Sequence, residues 1–177
     1  MRKFYARIFT LFVFVIATAV VNAQTVSQYV FSQSNGTYTP ITGGTVISSS
    51  ATDDDNSYAV TLPFPFTFAG VSYTQVYVNT NGFLSFGPTA PAGNTYSPIS
   101  GTTAYGGAVA PLGRDLMSNN GNITWSVSGT SPFRVITFQW SNYTRYSAAF
   151  YNELLNFQVQ LFETTNNVSI VYGGFSA

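Results

Sequence analysis

"YAVTLPFPFTFAG", residues 58 to 70, sets a bulky apolar side chain at every even position: Tyr58, Val60, Leu62, Phe64, Phe66 and Phe68. Ala59, Thr61, Pro63, Pro65, Thr67 and Ala69 take the odd ones. A period of two belongs to a half-buried β-strand. The two prolines narrow the reading further. Successive N–H groups along a strand point to alternate edges, so Pro63 and Pro65 withdraw their donors from the same edge. The other edge keeps the N–H groups of Leu62, Phe64 and Phe66 for a ladder. The pattern predicts an edge strand that packs its Leu/Phe face inward and resists pairing with foreign strands.

Similar runs flank it, separated by turn residues. "TVSQYVFSQ" (25–33), "TYTPIT" (37–42) and "GTVISSS" (44–50) precede it. "YTQVYVNT" (73–80) follows, with Val76 and Val78 on the face opposite Tyr73, Gln75 and Tyr77. Asn81-Gly82 before "FLSFG" is a hairpin signal, because both residues tolerate positive φ. Residues 87–108 read as a long Gly/Pro-rich loop with room for one short strand, and "VAPLGRDLM" (109–117) as a turn of helix or an irregular crossing. Beyond a turn at "SNNG" come "NITWSVSG" (122–129), "RVITFQW" (134–140), "LLNFQVQLFE" (154–163) and "VSIVYGG" (168–174). In the third of these Leu155, Phe157, Val159 and Leu161 point inward, with Asn156, Gln158 and Gln160 outward. No helical period appears past residue 23. Short strands with one apolar face and Gly/Pro/Asn turns describe a sandwich or a barrel, and the expectation is an all-β, two-sheet antiparallel β-sandwich.

The first 23 residues stand apart. Arg2, Lys3 and Arg7 form a basic head, "IFTLFVFVIATAVV" (8–21) an apolar run, and "VNA" ends at Ala23 in small or apolar residues. This is the pattern of a cleaved signal peptide, and its apolar run is short of the roughly 20 residues a spanning helix needs. The expectation is therefore a secreted or outer-cell-surface protein without membrane insertion after cleavage, its residues 24–177 forming one domain. Without the leader, three basic residues (Arg114, Arg134, Arg145) face six acidic ones, a balance of −3. Nucleic acid, which is bound through basic patches, is not an expected partner. Ser, Thr and Asn, about a third of residues 24–177, supply solubility in place of charge, and that mixture favours strands and turns.

From Leu62 to Gly87, "LPFPFTFAGVSYTQVYVNTNGFLSFG" resembles the opening of the nidogen-like extracellular domain, an aromatic-rich LPF-type strand followed by "YTSVYVSTNGFISFG". The resemblance runs through "VAPLGRDLM", similar to the family's "IAPFW-D" with Asp115 at its aspartate. It continues through "FRVITFQWSNYTRY" and "NFQVQLFETTNNVSIVYGG", and covers roughly residues 58–174. At "PLGRD" the chain departs from the family, which carries an aromatic and an acid there. Related domains occur in secreted modular surface proteins of the Bacteroidota type. The resemblance implies a non-enzymatic adhesion or interaction module, with an extracellular protein or glycan as partner. With no sorting domain after Ala177, the chain reads as the N-terminal part of a longer surface protein.

The chemistry-bearing residues are few. With no His and no Cys, serine triads built on histidine, cysteine nucleophiles and zinc sites on those ligands all lack their parts. Glycoside hydrolysis needs only two carboxyl groups, so Asp115, Glu153 and Glu163 are its candidates and a glycosidase-like enzyme is the weaker alternative. Asp53, Asp54 and Asp55, followed by Asn56, supply the hard oxygen ligands Ca²⁺ prefers. They do so outside the EF-hand pattern, since Tyr58 and Phe64 stand where that loop needs Gly and Glu. No other cofactor is expected. Tyr73, Tyr77, Tyr143, Tyr146 and Tyr151 read as exposed rings able to stack on sugars, among Asn and Gln. "SNYTRYSAAFYNE" (141–153) gathers Tyr143, Arg145, Tyr146 and Tyr151 in one expected loop, the preferred binding surface together with Asp115. A carbohydrate-binding, lectin-like module, calcium-assisted, is the main alternative function.

Overall fold

The computed structural model describes residues 26–100, 105–147 and 152–176. Nine strands follow in order: β1 (Thr45–Ser48), β2 (Ser57–Phe68), β3 (Val71–Asn79), β4 (Phe83–Phe86), β5 (Gly107–Val109), β6 (Leu116–Ser128), β7 (Val135–Arg145), β8 (Leu155–Phe162) and β9 (Val168–Tyr172). They form two antiparallel sheets, β1-β6-β7-β8-β9 and β2-β3-β4-β5. The expected two-sheet sandwich is the observed fold. The signal-peptide reading of residues 1–23 lies outside the described residues.

The opening stretch behaves as its period demands. Val60, Leu62, Phe64, Phe66 and Phe68 are buried while Ala59, Thr61 and Pro65 are exposed, and β2 is an edge strand. A backbone bond from Thr80 N to Asn56 O (3.0 Å) sets the ladder phase. Even-numbered residues of β2 turn their peptide groups to β3 and odd-numbered ones to the open edge, where Pro63 and Pro65 stand. The prolines have a second effect: the β2–β3 register shifts between Thr61 and Phe66. That slip brings Tyr73 opposite Phe66 and turns its ring onto Phe86 (5.3 Å between centroids), so Tyr73 is part of the core edge and not an exposed ring.

Two expected strands are absent. Of the run 25–33 the described residues 26–33 hold a 3-10 turn at Val26–Gln28 and then chain outside any strand, and 37–42 form no strand. Tyr29 instead packs at the β2–β3 turn, its Oη accepting from Ala69 N (3.1 Å), and residues 38–41 cross the outer face of the five-stranded sheet. Gln158, expected in solvent, is 3% exposed beneath them. Its Nε2 donates to Thr39 O (2.8 Å) and Gln139 Oε1 (2.9 Å), and Ile41 N donates to that same Oε1 (2.8 Å). The amides satisfy the crossing backbone, as buried polar groups require. "SNNG" is not a turn between elements either. It lies inside β6 as a bulge, with Asn120 at φ 52° and the β6–β7 register shifting between Ser118 and Asn122. Residues 110–115 make an irregular crossing between the sheets.

The core lies between the layers. Phe86 stacks on Phe68 at 4.4 Å and on Phe66 at 5.9 Å, and Trp140 stacks on Phe157 at 5.0 Å. Trp140 Nε1 donates to Asn79 O (3.0 Å), tying the two sheets together beside the β3–β4 turn.

Candidate functional site

That turn organises one end of the sandwich. The connection Thr80-Asn81-Gly82 needs positive φ only at Gly82 (76°), the three-residue hairpin with its glycine in the left-handed region. Asn81 is fully buried, and its side chain, not its backbone freedom, is what the turn uses. Asn81 Oδ1 accepts from Leu116 N (2.8 Å), while Nδ2 donates to Gly93 O (2.9 Å) and Asp55 Oδ1 (3.2 Å). One amide thus joins the 110–115 crossing, the 88–100 loop and the acidic turn. The loop can approach because residue 93 is Gly: a Cβ there would lie 1.6 Å from Asp55 O.

The three aspartates of the acidic turn separate. Asp53 is 4% exposed and points inward. It accepts from Tyr58 Oη (2.9 Å to Oδ1, 3.1 Å to Oδ2) and from Asn56 Nδ2 (2.8 Å). Its donors are already supplied by the chain. Asp54 and Asp55 turn the other way and meet Asp115, the ligand oxygens of the three lying within 4.8 Å of one another. Oδ1 of Asp54 and Oδ1 of Asp115 are buried without a hydrogen-bond donor. Burial, then the negative charges of Asp55 and Asp115, pushes Asp54 up to about 6. Asp115 is raised by burial and by Asp55. Both shifts report charge that the protein itself does not compensate. Of the expected Asp53–Asp54–Asp55 set, the structure brings Asp54 and Asp55 together with Asp115 and turns Asp53 away from them.

Beside this cluster a cleft of about 310 Å³ is lined by Tyr96, Arg114, Asp115, Arg145, Tyr146 and Ser147 among others. Tyr146 and Tyr96 are 51% and 39% exposed, and Tyr96 Oη donates to Asp55 Oδ2 (3.3 Å), linking cleft to cluster. Tyr146 N donates to Asp115 O (2.9 Å), which holds the end of β7 against the crossing. Three residues expected in a binding surface, Asp115, Arg145 and Tyr146, are brought together here.

Tyr143 is not with them. It is fully buried, its hydroxyl without a partner and its pKa raised by burial. The expected loop at 141–153 is, as far as Arg145, the continuation of β7. Asn142 at φ 53° bulges out and advances the alternation by one residue, so the inward series Ile136, Phe138, Trp140 resumes at Tyr143. Tyr151 lies outside the described residues. Tyr77 is half-buried and donates to Pro88 O (3.1 Å).

Glu153 and Glu163 serve ion pairs. Arg145 Nε donates to Glu153 Oε2 (2.9 Å) and its Nη2 to Oε1, and the guanidinium lowers the Glu153 pKa. Arg134 grips Glu163 through Nε (2.8 Å) and Nη2 (2.7 Å), which holds that carboxyl down at about 2. Sequence reasoning missed Asn81 and Tyr96. The Asn-Gly pair marked the turn but gave no sign that the amide, rather than its φ, mattered.

One end of the two-sheet sandwich thus bears a polar cleft rimmed by Tyr96 and Tyr146. A family model described as NIDO related matches residues 28–177, and the chain belongs to that family. The match takes in residues 28–57, including those that cross the five-stranded sheet, beyond the 58–174 of the sequence resemblance. Comparison with curated proteins and with solved structures gives no significant match. A NIDO-related domain fits an extracellular interaction module, and no helix among the described residues is long and apolar enough to cross a membrane.

Proposed function

We propose that this domain is a non-catalytic adhesion module that grips an extracellular protein or glycan through the cleft beside the acidic cluster. One observation carries the reading: Asp115, Arg145, Tyr96 and Tyr146 converge on one cleft from three separate segments of chain. Exposed tyrosines with a charged neighbour give large, rigid contact area and a polar handle. Glu153 and Glu163, held as carboxylates by their arginines, are poor proton donors, which leaves Asp115 alone among the three carboxyls a glycosidase would draw on. Tyr96→Ala and Tyr146→Ala, at exposed positions, test the reading. Each is expected to weaken adhesion to matrix-coated surfaces or arrayed glycans about tenfold, a loss of ~1.4 kcal/mol, without moving the melting temperature. Adhesion unchanged in both variants rejects the cleft as the contact surface.

The second reading, a calcium-assisted carbohydrate-binding module, is favoured by the buried, donor-less oxygens of Asp54 and Asp115. Ca²⁺ takes oxygen ligands, and a cation there would offset the burial, and then the neighbouring charges, that raise Asp54. Ca²⁺ at a hundredfold excess over its dissociation constant then stabilises the fold by about 2.7 kcal/mol, raising the melting temperature reversibly to EDTA. Binding to a glycan array in Ca²⁺ and not in EDTA completes the test. A melting curve indifferent to millimolar Ca²⁺ sinks this reading and leaves the first standing.

A further inference from the structure

β9 is an outer strand of the five-stranded sheet, and its sequence, Val168-Ser169-Ile170-Val171-Tyr172, holds neither charge nor proline to protect it. Backbone bonds from Gly173 N to Asn156 O (2.7 Å) and from Phe162 N to Asn167 O (3.1 Å) fix the phase of its ladder. Odd-numbered residues turn their peptide groups to β8, so Val168, Ile170 and Tyr172 direct theirs to the open side. The side chains of these three lie on the core face, opposite Leu161, Val159 and Phe157. The facing sheet is one strand narrower. Ile170 and Tyr172 consequently remain 39% and 48% exposed although they point the way core residues point. Phe175, 53% exposed, meets Tyr172 edge-on at 5.9 Å and lengthens the apolar strip.

The other sheet edges are closed to this kind of growth. On β2, Pro63 and Pro65 lack donors, and the Thr67 N–H is taken by Asn166 Oδ1 (2.7 Å). β1 has four residues and a register break after Val46, and β5 has three. Among the described residues three edges are protected and the fourth is not, a pattern that requires a physical reason.

We propose that β9 pairs antiparallel with β9 of a second copy about a two-fold axis at Ile170, joining two five-stranded sheets into one. The pairing is self-complementary. Val168 of each copy faces Tyr172 of the other and Ile170 faces its twin, which satisfies every outward peptide group of the strand. No charge opposes a like charge across the seam. Ile170, and the part of Tyr172 left exposed by its bond to Pro111 O (2.6 Å), gain the cover that the four-stranded sheet is too narrow to give. A single unblocked edge among the described residues also explains closure at two copies, since two open edges would propagate a filament.

The chain has no cysteine, which makes the test direct. Residues paired in this outward-bonding register have Cα atoms about 5.5 Å apart, inside the span a disulfide bridges. Ile170→Cys is expected to oxidise to a covalent dimer at least tenfold faster than Val46→Cys, a control on β1 that is the more accessible of the two (55% against 39% exposed). Sedimentation of the unmodified protein should show a monomer–dimer equilibrium, and Ile170→Lys, which sets two ammonium groups face to face, should raise its dissociation constant at least tenfold. A monomer up to several hundred micromolar overturns the proposal. So does a dimer indifferent to Ile170→Lys, or an Ile170→Cys variant that oxidises no faster than the control. Should Ile170→Lys fail to fold, sedimentation of the unmodified protein and the cysteine pair decide the matter.

Discussion

Asp53 and Asp54 are adjacent in sequence and opposite in circumstance. The first accepts from a tyrosine hydroxyl and an asparagine amide; the second buries an oxygen with no donor and crowds against two further carboxylates. Strand geometry accounts for the split. Asp54 makes a bridge with Met117 at the start of β6, and Asp55 takes φ 52°, so consecutive side chains leave the turn in divergent directions. The raised pKa of Asp54 carries a sign. Its folded value, about 6, exceeds that of the unfolded chain, so the folded state binds the proton more tightly. Stability from this group is complete below about pH 4 and is lost as pH rises through 6. In metal-free buffer Asp54→Asn is expected to remove that decline, leaving the variant at least as stable as the parent at pH 7 in urea unfolding. A parent whose stability is flat from pH 4 to 7 would show that Asp54 is not held in the charge-crowded state described.

At the scale of elements, β2 shows how one strand serves two masters. Its inward face obeys the hydrophobic period without exception, while its prolines disturb the ladder they border. Replacing both, as Pro63→Val with Pro65→Val, restores two N–H donors to an outer edge flanked by apolar residues. The expected result is retained circular dichroism but faster concentration-dependent aggregation, followed by turbidity or thioflavin fluorescence. Aggregation no faster than the parent would mean that the prolines guard nothing. The same element marks what could be read in advance. Edge position, inward face and the closing turn at Ala69-Gly70 were all legible from residues 58–70. The register slip and the inward swing of Tyr73 were not, since they depend on how β3 accommodates the interruption.

Across the whole molecule, the link between core and site runs through Trp140. Its ring packs on Phe157 in one sheet while its indole N–H holds Asn79 O in the other, two residues before the buried Asn81. Trp140→Phe keeps an aromatic ring but removes one of that carbonyl's two donors, Gly82 N (3.2 Å) remaining, at a cost of about 0.5–1.5 kcal/mol in urea unfolding. Because Asn79 also donates through Nδ2 to Ser57 Oγ (2.8 Å) and Gly93 O (3.2 Å), the β3–β4 turn should loosen with it. Any cation or glycan binding at the cleft should then weaken in step with stability. Unchanged stability would remove Trp140 as a tie between the sheets.

Residues 58–70 and their neighbours were enough to determine an all-β sandwich, its core face and the protected edge, because alternation and turn chemistry are local properties of a chain. The tertiary structure alone decided that Asp115 joins Asp54 and Asp55, that Asn142 and Asn120 bulge, that Gln158 lies under the crossing N-terminal segment, and that β9 overhangs its partner sheet. Each of these depends on contacts between residues tens of positions apart. A period of two records which way a side chain points, but not which distant residues pack against it.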